Sequence, residues 1–311
     1  MNATDKIYIA GHTGMVGSAI ARLLRKKGFT NIIERSSKEL DLRRQEDVLH
    51  FFEQEKPDFV FLAAAKVGGI LANQNEKGAF FYDNIMIQTN VIHAAYQYKT
   101  TKLLSFGSSC IYPKYADQPI SEDALMAGKL EPTNDAYAVS KIAAIMMCDA
   151  YRQQYGCNFI SAMPTNLYGP NDNYDLETSH VLPALLRKFI EASHNGQEEV
   201  VIWGTGTPRR EFLHVDDLAQ AALFLMKNFN ESGPVNVGTG QDISILELAH
   251  LIKRIVGYKG NIVNDLNKPD GTPLKRLDIQ KIQKMGWTAT IPLREGIEKV
   301  FHEIKSDFTA S

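Results

Sequence analysis

The chain has 311 residues, 44% hydrophobic and 23% charged, with a formal net charge of −2, which is ordinary globular composition with enough length for a real core. The near-neutral balance excludes a nucleic-acid or membrane-surface binder. No apolar run approaches the roughly 20 residues of a membrane span, and the opening MNATDKIYIAG lacks a signal-peptide pattern. Three cysteines, Cys110, Cys148 and Cys157, have neither metal spacing nor a pairing framework and fit a reducing cytoplasm.

Short apolar runs at 6–10, 31–34, 59–65, 102–106 and 158–163 read as strands. Between the first two, residues 18–27 form an amphipathic helix on Ile20, Leu23 and Leu24, and Gly28 supplies its stop. Strand–helix alternation of this kind predicts an α/β protein with a doubly wound parallel sheet. Residues 168–173, with their Gly-Pro pair, read as a loop. Helices follow at 180–192, 216–226, 244–256 and 292–304, with strands at 200–204 and 235–238. The expected organisation is a nucleotide-binding unit over 1–167 and a smaller, mainly substrate-binding α/β unit over 168–311. Part of 213–240 is expected to return to the first sheet.

The first candidate site is Gly11-His-Thr-Gly14-Met-Val-Gly17, placed between the first strand and the first helix. Glycines at this spacing permit a tight turn and bring a pyrophosphate close to the backbone N–H groups of a helix N-terminus. The end of the second strand then sets the choice between ribose and 2′-phosphoribose. Glu34 stands there, but Arg35, Ser36, Ser37 and Lys38 follow, two cations and two hydroxyls suited to a phosphate, which favours NADP over NAD.

The second is Tyr137-Ala-Val-Ser-Lys141 within a helical pattern over 135–155, where i and i+4 share a face. An ammonium beside a phenol lowers its pKa and makes it a usable general acid/base. Ser108, Cys110 and Tyr112 follow the strand at 102–106, and alternation in extended backbone would send Ser108 and Cys110 to one face.

Together the glycine loop, Ser108, Tyr137 and Lys141 resemble the extended short-chain dehydrogenase/reductases, a family with a Rossmann sheet that acts on sugar carbonyls and carbinols beside a nicotinamide. Within that family, dehydratases carry Thr-Asp-Glu where this chain has Ser108-Ser109-Cys110, so water elimination is disfavoured. Five segments instead resemble one branch of the family, the GDP-sugar 3,5-epimerase/4-reductases: residues 65–69 (AKVGG), 108–113 (SSCIYP), 164–173 (PTNLYGPNDN), 211–217 (EFLHVDD) and 268–273 (KPDGTP).

The resemblance implies NADPH as cofactor, a GDP-linked 4-keto-6-deoxymannose as substrate, and a homodimer formed through the helices after Gly78 and Asp135. The alternatives are a simple sugar-nucleotide 4-reductase or 4-epimerase, and a non-catalytic NADP-binding sensor. It also implies roles. Tyr137, Lys141, Ser108, Cys110 and His180 would be catalytic. The cofactor would meet Gly11, Gly14, Met15, Val16, Gly17, Arg35, Ser36, Ser37, Lys38, Asp41, Leu42, Ala63, Ala64, Ala65, Lys141, Pro164, Asn166, Leu167 and His180. The substrate would meet Ser108, Asn166, Lys188, Trp203, Arg210 and Asp270. A ketone at C4 acidifies the neighbouring C–H bonds, and a thiol and an imidazole titrate on either side of neutral pH, so Cys110 and His180 suit proton exchange at carbon. His180 opens a helix, whose N-terminus favours a neutral imidazole. Cys148 and Cys157 read as packing residues.

Overall fold

The computed structural model describes residues 1–268 and 270–309, without the side chains of Ile70 and Leu71. Six parallel strands build the main sheet: β1 (Ile7–Ala10), β2 (Ile32–Ile33), β3 (Phe59–Leu62), β4 (Lys102–Phe106), β5 (Phe159–Pro164) and β9 (Pro234–Val237). Their order is β2-β1-β3-β4-β5-β9. The register pairs Ile7 with Phe59, Phe59 with Lys102, Leu103 with Phe159 and Ser161 with Pro234. Strands β1, β3, β4 and β5 are buried along their whole length, as continuous apolar runs covered on both faces must be.

Helices α1 (Met15–Lys26) and α7 (Val215–Asn228) cover one face. Helices α2 (Gln45–Glu55), α4 (Lys77–Gln97) and α5 (Asp135–Tyr155) cover the other, with the short α3 (Ile70–Asn75) leading into α4. The doubly wound sheet follows the expected architecture, and β9 forms its edge beside β5. Because chain order reverses between β1 and β3, the loops after these two strands diverge and open a crevice at their C-terminal ends.

A third core packs α6 (Val181–His194), α8 (Ile245–Val256) and α10 (Leu293–Ile304) against smaller sheets. In one, β6 (Asn166–Tyr168), β10 (Asp242–Ser244) and β12 (Leu274–Lys275) all pair with β8 (Arg209–His214). In the other, β7 (Glu199–Trp203) pairs with β11 (Asn261–Asp265). Helix α8 starts at a complete capping box between Ser244 and Glu247; α9 (Gln280–Lys284) packs near β9. Tyr168 departs from the loop reading, because it ends β6 and is buried with its ring edge-on to His214.

Buried polar groups lock the elements of these cores together. Glu211, fully buried in β8, accepts the backbone N–H groups of Thr239, Gly240 and Leu277 at 2.6, 2.7 and 2.8 Å. Asp217 likewise accepts from the N–H groups of Thr290 and Ile291. Lys102 donates to the carbonyls of Leu225, Met226 and Phe229, closing the C-terminal end of α7. Among the described residues no helix is long and apolar enough to cross a membrane.

Candidate active site

The crevice between β1 and β3 is built as a nucleotide cradle. Gly11 has φ +86° and presses against Ala64, so that a Cβ there would stand 2.7 Å from the Ala64 backbone. A Cβ on Gly17 would collide with the Gly11 carbonyl, which holds α1 tight against the loop. Gly14, the N-cap, supplies no side-chain cap, leaving the first N–H groups of α1, from Met15 and Val16 onward, for an anion. Ala63, Ala64 and Ala65 continue β3 along the opposite wall and are half-buried. This arrangement fits a dinucleotide.

In the turn after β2, Arg35 is paired with Glu55 at 2.8 Å and lies over Phe51, with its side chain 38% exposed. Glu34 is neutralised by Arg25. The Ser36 N–H and hydroxyl both donate to the Glu39 carboxylate, at 2.8 and 2.6 Å, leaving Ser37 and Lys38 as the exposed polar pair. Short polar turns allow such side-chain closure, and alternation alone does not register it. Further along, Asp41 is held by Arg43, which keeps its carboxyl down at about 2, and the Leu42 carbonyl accepts from Asn90.

At the end of β4 the chain does not continue extended. Ser108 is the N-cap of a 3₁₀ turn, Ser109–Ile111, and its hydroxyl accepts from the Cys110 N–H at 3.3 Å. The alternation expected for Ser108 and Cys110 therefore fails, because the cap curls the backbone. Both still address the same neighbours. Ser108 draws the Tyr137 pKa down, and Cys110 acts electrostatically on both Tyr137 and Lys141. Gly107 packs so closely on Met163 that a Cβ there would collide with the thioether.

The pKa expectation for Tyr137 is reversed. Burial pushes its phenol up, Cys110 adds to that, and only Ser108 opposes. Lys141 donates to the Phe106 carbonyl at 2.9 Å, and its burial brings its pKa down to about 8. Desolvation of both groups outweighs their attraction at a separation of 5.8 Å from ammonium to ring centre.

His180 is the N-cap of α6. It is exposed at the start of the helix yet crowded by surrounding protein. Desolvation lowers its pKa, and the Lys275 ammonium lowers it further. The expected direction holds, with desolvation rather than the helix end as its main cause. Lys275, at the end of β12, lines one narrow cleft with Cys110, Lys114, Glu131 and Thr272. Sequence reading did not single it out; its place inside the 274–277 run, next to the motif at 268–273, was the available signal. Pro164 ends β5, Leu167 is half-buried in β6, and the Asn166 amide donates to the Glu211 carbonyl at 2.8 Å.

Farther out, Trp203 is 47% exposed and flanked by Lys268 at 5.1 Å and Lys188 at 5.9 Å from its ring. Lys188 donates to the Val201 carbonyl, and burial lowers its pKa. Arg210 is half-buried, anchored on the Arg209 and Thr272 carbonyls. Asp270 binds the Thr205 N–H and hydroxyl, so its first task is to fasten its own loop to β7. Lys268, beside Trp203, is a cation that residue-by-residue reading passed over. Pro269, of the same motif, lies outside the described residues. Cys148 is buried with its thiol pushed up to about 12, as packing predicts.

A parallel sheet with its nucleotide cradle at the strand-order reversal, and a Ser–Tyr–Lys set beside it, defines an extended short-chain dehydrogenase/reductase. The chain belongs to the NAD dependent epimerase/dehydratase family, whose model matches residues 7–238. Over 296 residues it is 57% identical to GDP-L-fucose synthase 1 of Arabidopsis thaliana, covering 95% of this chain and 92% of that one. It is 50% identical over 306 residues to the GDP-L-fucose synthase of Escherichia coli K12, covering 96% and 95%. A solved GDP-L-fucose synthetase from Naegleria fowleri, bound to NADP, superposes with a TM-score of 0.93 at 30% identity over 100% and 96% of the two chains.

Proposed function

We propose that the protein converts GDP-4-keto-6-deoxy-D-mannose to GDP-L-fucose, inverting C3 and C5 and then reducing the C4 ketone with NADPH. The observation that carries this reading is that the turn holding Ser108 and Cys110 leaves β4 where Lys141, bound to the Phe106 carbonyl, stands 5.8 Å from the Tyr137 ring, with Lys275 lining the Cys110 cleft. Carboxylates at 109 and 110 would have suited elimination; the Ser108 hydroxyl with the Cys110 thiol suits carbonyl polarisation beside proton exchange at carbon. The Arabidopsis and E. coli GDP-L-fucose synthases, matched over nearly their full lengths, support the same product.

In this reading Ser108 donates to the C4 oxygen and draws charge away from C3 and C5. His180, held neutral by desolvation, and Cys110 exchange the C3 and C5 protons from opposite faces. Tyr137, kept protonated by burial, gives its proton to the oxygen at C4 as the alcohol forms. Lys141 would hold the nicotinamide ribose and keeps positive charge beside Tyr137. NADPH, when bound, supplies hydride to C4. Residues 11–17, 63–65, Pro164, Asn166 and Leu167 would hold it, and Ser37, Lys38 and Arg35 would serve its 2′-phosphate. The NADP-bound Naegleria relative supports that choice of cofactor.

Trp203 stacks on the guanosine, with Lys188, Lys268 and Arg210 around the pyrophosphate and Asp270 bracing the loop. We assign residues 1–167, with the returning 213–240 segment, to the cofactor and 168–311 mainly to the GDP-sugar. Phe81, Tyr82, Val139, Met146 and Tyr155, all exposed on α4 and α5, support a homodimer through those helices. The three free thiols suit a cytoplasmic setting. Mixing the protein with NADPH and the keto-sugar should consume NADPH and yield GDP-L-fucose. A protein that binds NADPH but consumes none would be the sensor, and a C3/C5-unchanged alcohol would make it a simple 4-reductase.

A further inference from the structure

The segment Lys66-Val-Gly-Gly69 leaves the cofactor wall at Ala65 and runs to the loop that ends in His180. Its backbone is unusually well held. Asn84, fully buried, accepts from the Lys66 N–H at 2.9 Å and donates to the Lys66 carbonyl at 3.0 Å. Asn73, also buried, donates to the carbonyls of Gly68 and Gly69 at 2.7 and 3.0 Å. From this fixed strap the Gly69 N–H donates to the Thr178 carbonyl at 2.7 Å, two residues before His180.

The 173–179 loop braces itself on the other side. Asp175 accepts from the N–H groups of Glu177 and Thr178 and from the Thr178 hydroxyl, and Asn173 donates to that hydroxyl. Gly69 has φ −67° and ψ −174°, ordinary extended backbone open to any residue. Space, not conformation, demands the glycine: a Cβ would stand 2.7 Å from the Ser179 carbonyl oxygen and 3.0 Å from that of Thr178. Both atoms are backbone, so any accommodation moves the chain that carries the imidazole.

We propose that Gly69 is a positioning residue for proton transfer at His180, setting the imidazole through direct backbone contact with residues 178 and 179. This rests on the proposed role of His180. The strap begins on the cofactor wall and ends against the proton-transfer loop, so one rigid segment references both half-reactions to the same sheet. A displacement of order 1 Å at a reacting group costs about 100-fold in rate.

Gly69→Ala should lower deuterium incorporation from D₂O into C3 and C5 by roughly 10- to 100-fold. Reverse hydride transfer from GDP-L-fucose to NADP⁺, which needs no epimerisation, should stay within about twofold, since the Tyr137 set is untouched. Unchanged exchange in Gly69→Ala overturns the proposal, and so does an equal loss in both assays, which means general disruption. If Gly69→Ala does not fold, Asn73→Ala frees the Gly68 and Gly69 carbonyls and must give the same split. A wild type that exchanges no deuterium sinks the proposed function itself, a separate result.

Discussion

Lys141 lies one helical turn beyond Tyr137 and holds its ammonium 5.8 Å from the centre of the phenol ring, anchored on the Phe106 carbonyl at 2.9 Å. Burial pushes the two pKa values in opposite directions, the phenol up and the ammonium down to about 8. Below pH 8 the pair is therefore a neutral acid beside a cation, the state that donates a proton to a forming alkoxide. Above it the cation is lost first. The reductive rate should fall as pH rises through about 8, followed as NADPH consumption. Lys141→Met should remove the limb and lower the rate at neutral pH by about 100-fold or more. A profile still flat well above pH 8 contradicts the assignment.

Lys275 disfavours the imidazolium form of His180. Removing the cation should raise the His180 pKa, so the acid limb of C3/C5 exchange, where the imidazole protonates, moves to higher pH. Lys275→Met should show that shift while Lys275→Arg retains the wild-type limb. Coincident limbs for all three proteins would remove Lys275 from the electrostatics of His180.

Glu39 occupies the Ser36 N–H and hydroxyl on the turn where a 2′-phosphate is expected. Glu39→Gln removes a negative charge from that turn and should raise the NADPH-over-NADH preference several-fold, read as a ratio of kcat/KM values. A lower preference would mean that the carboxylate shapes the phosphate site rather than competing with it.

Glu211 is a stability residue. Glu211→Ala leaves the N–H groups of Thr239, Gly240 and Leu277 without their acceptor in a buried place. At about 1–3 kcal/mol per orphaned amide, urea unfolding should show a loss of at least about 3 kcal/mol. A loss below about 1 kcal/mol would mean that water or a relaxed backbone replaces the carboxylate.

The sheet was legible because its strands are continuous apolar runs and its glycine loop sits between a strand and a helix. Helix α5 was readable to its ends, closed by Gly156 in the left-handed region. The site was legible as residues but less so as geometry. Period-two alternation put Ser108 and Cys110 on one face; the Ser108 cap bends the backbone and reaches a similar grouping by another route. Charge counting put Arg35 on the phosphate and did not register that Glu55, 20 positions away in sequence, pairs with it. Lys275 and the Gly69–Thr178 contact stayed hidden because each joins segments distant along the chain, which only the packed fold brings together.

Proton exchange at carbon is the central claim, and D₂O tests it most directly. Incubated with NADPH and GDP-4-keto-6-deoxy-D-mannose in D₂O, the protein should form GDP-L-fucose carrying deuterium at both C3 and C5. Cys110→Ser should lose most of that incorporation while binding NADPH as the wild type does. Product formed without deuterium at either carbon would contradict the account.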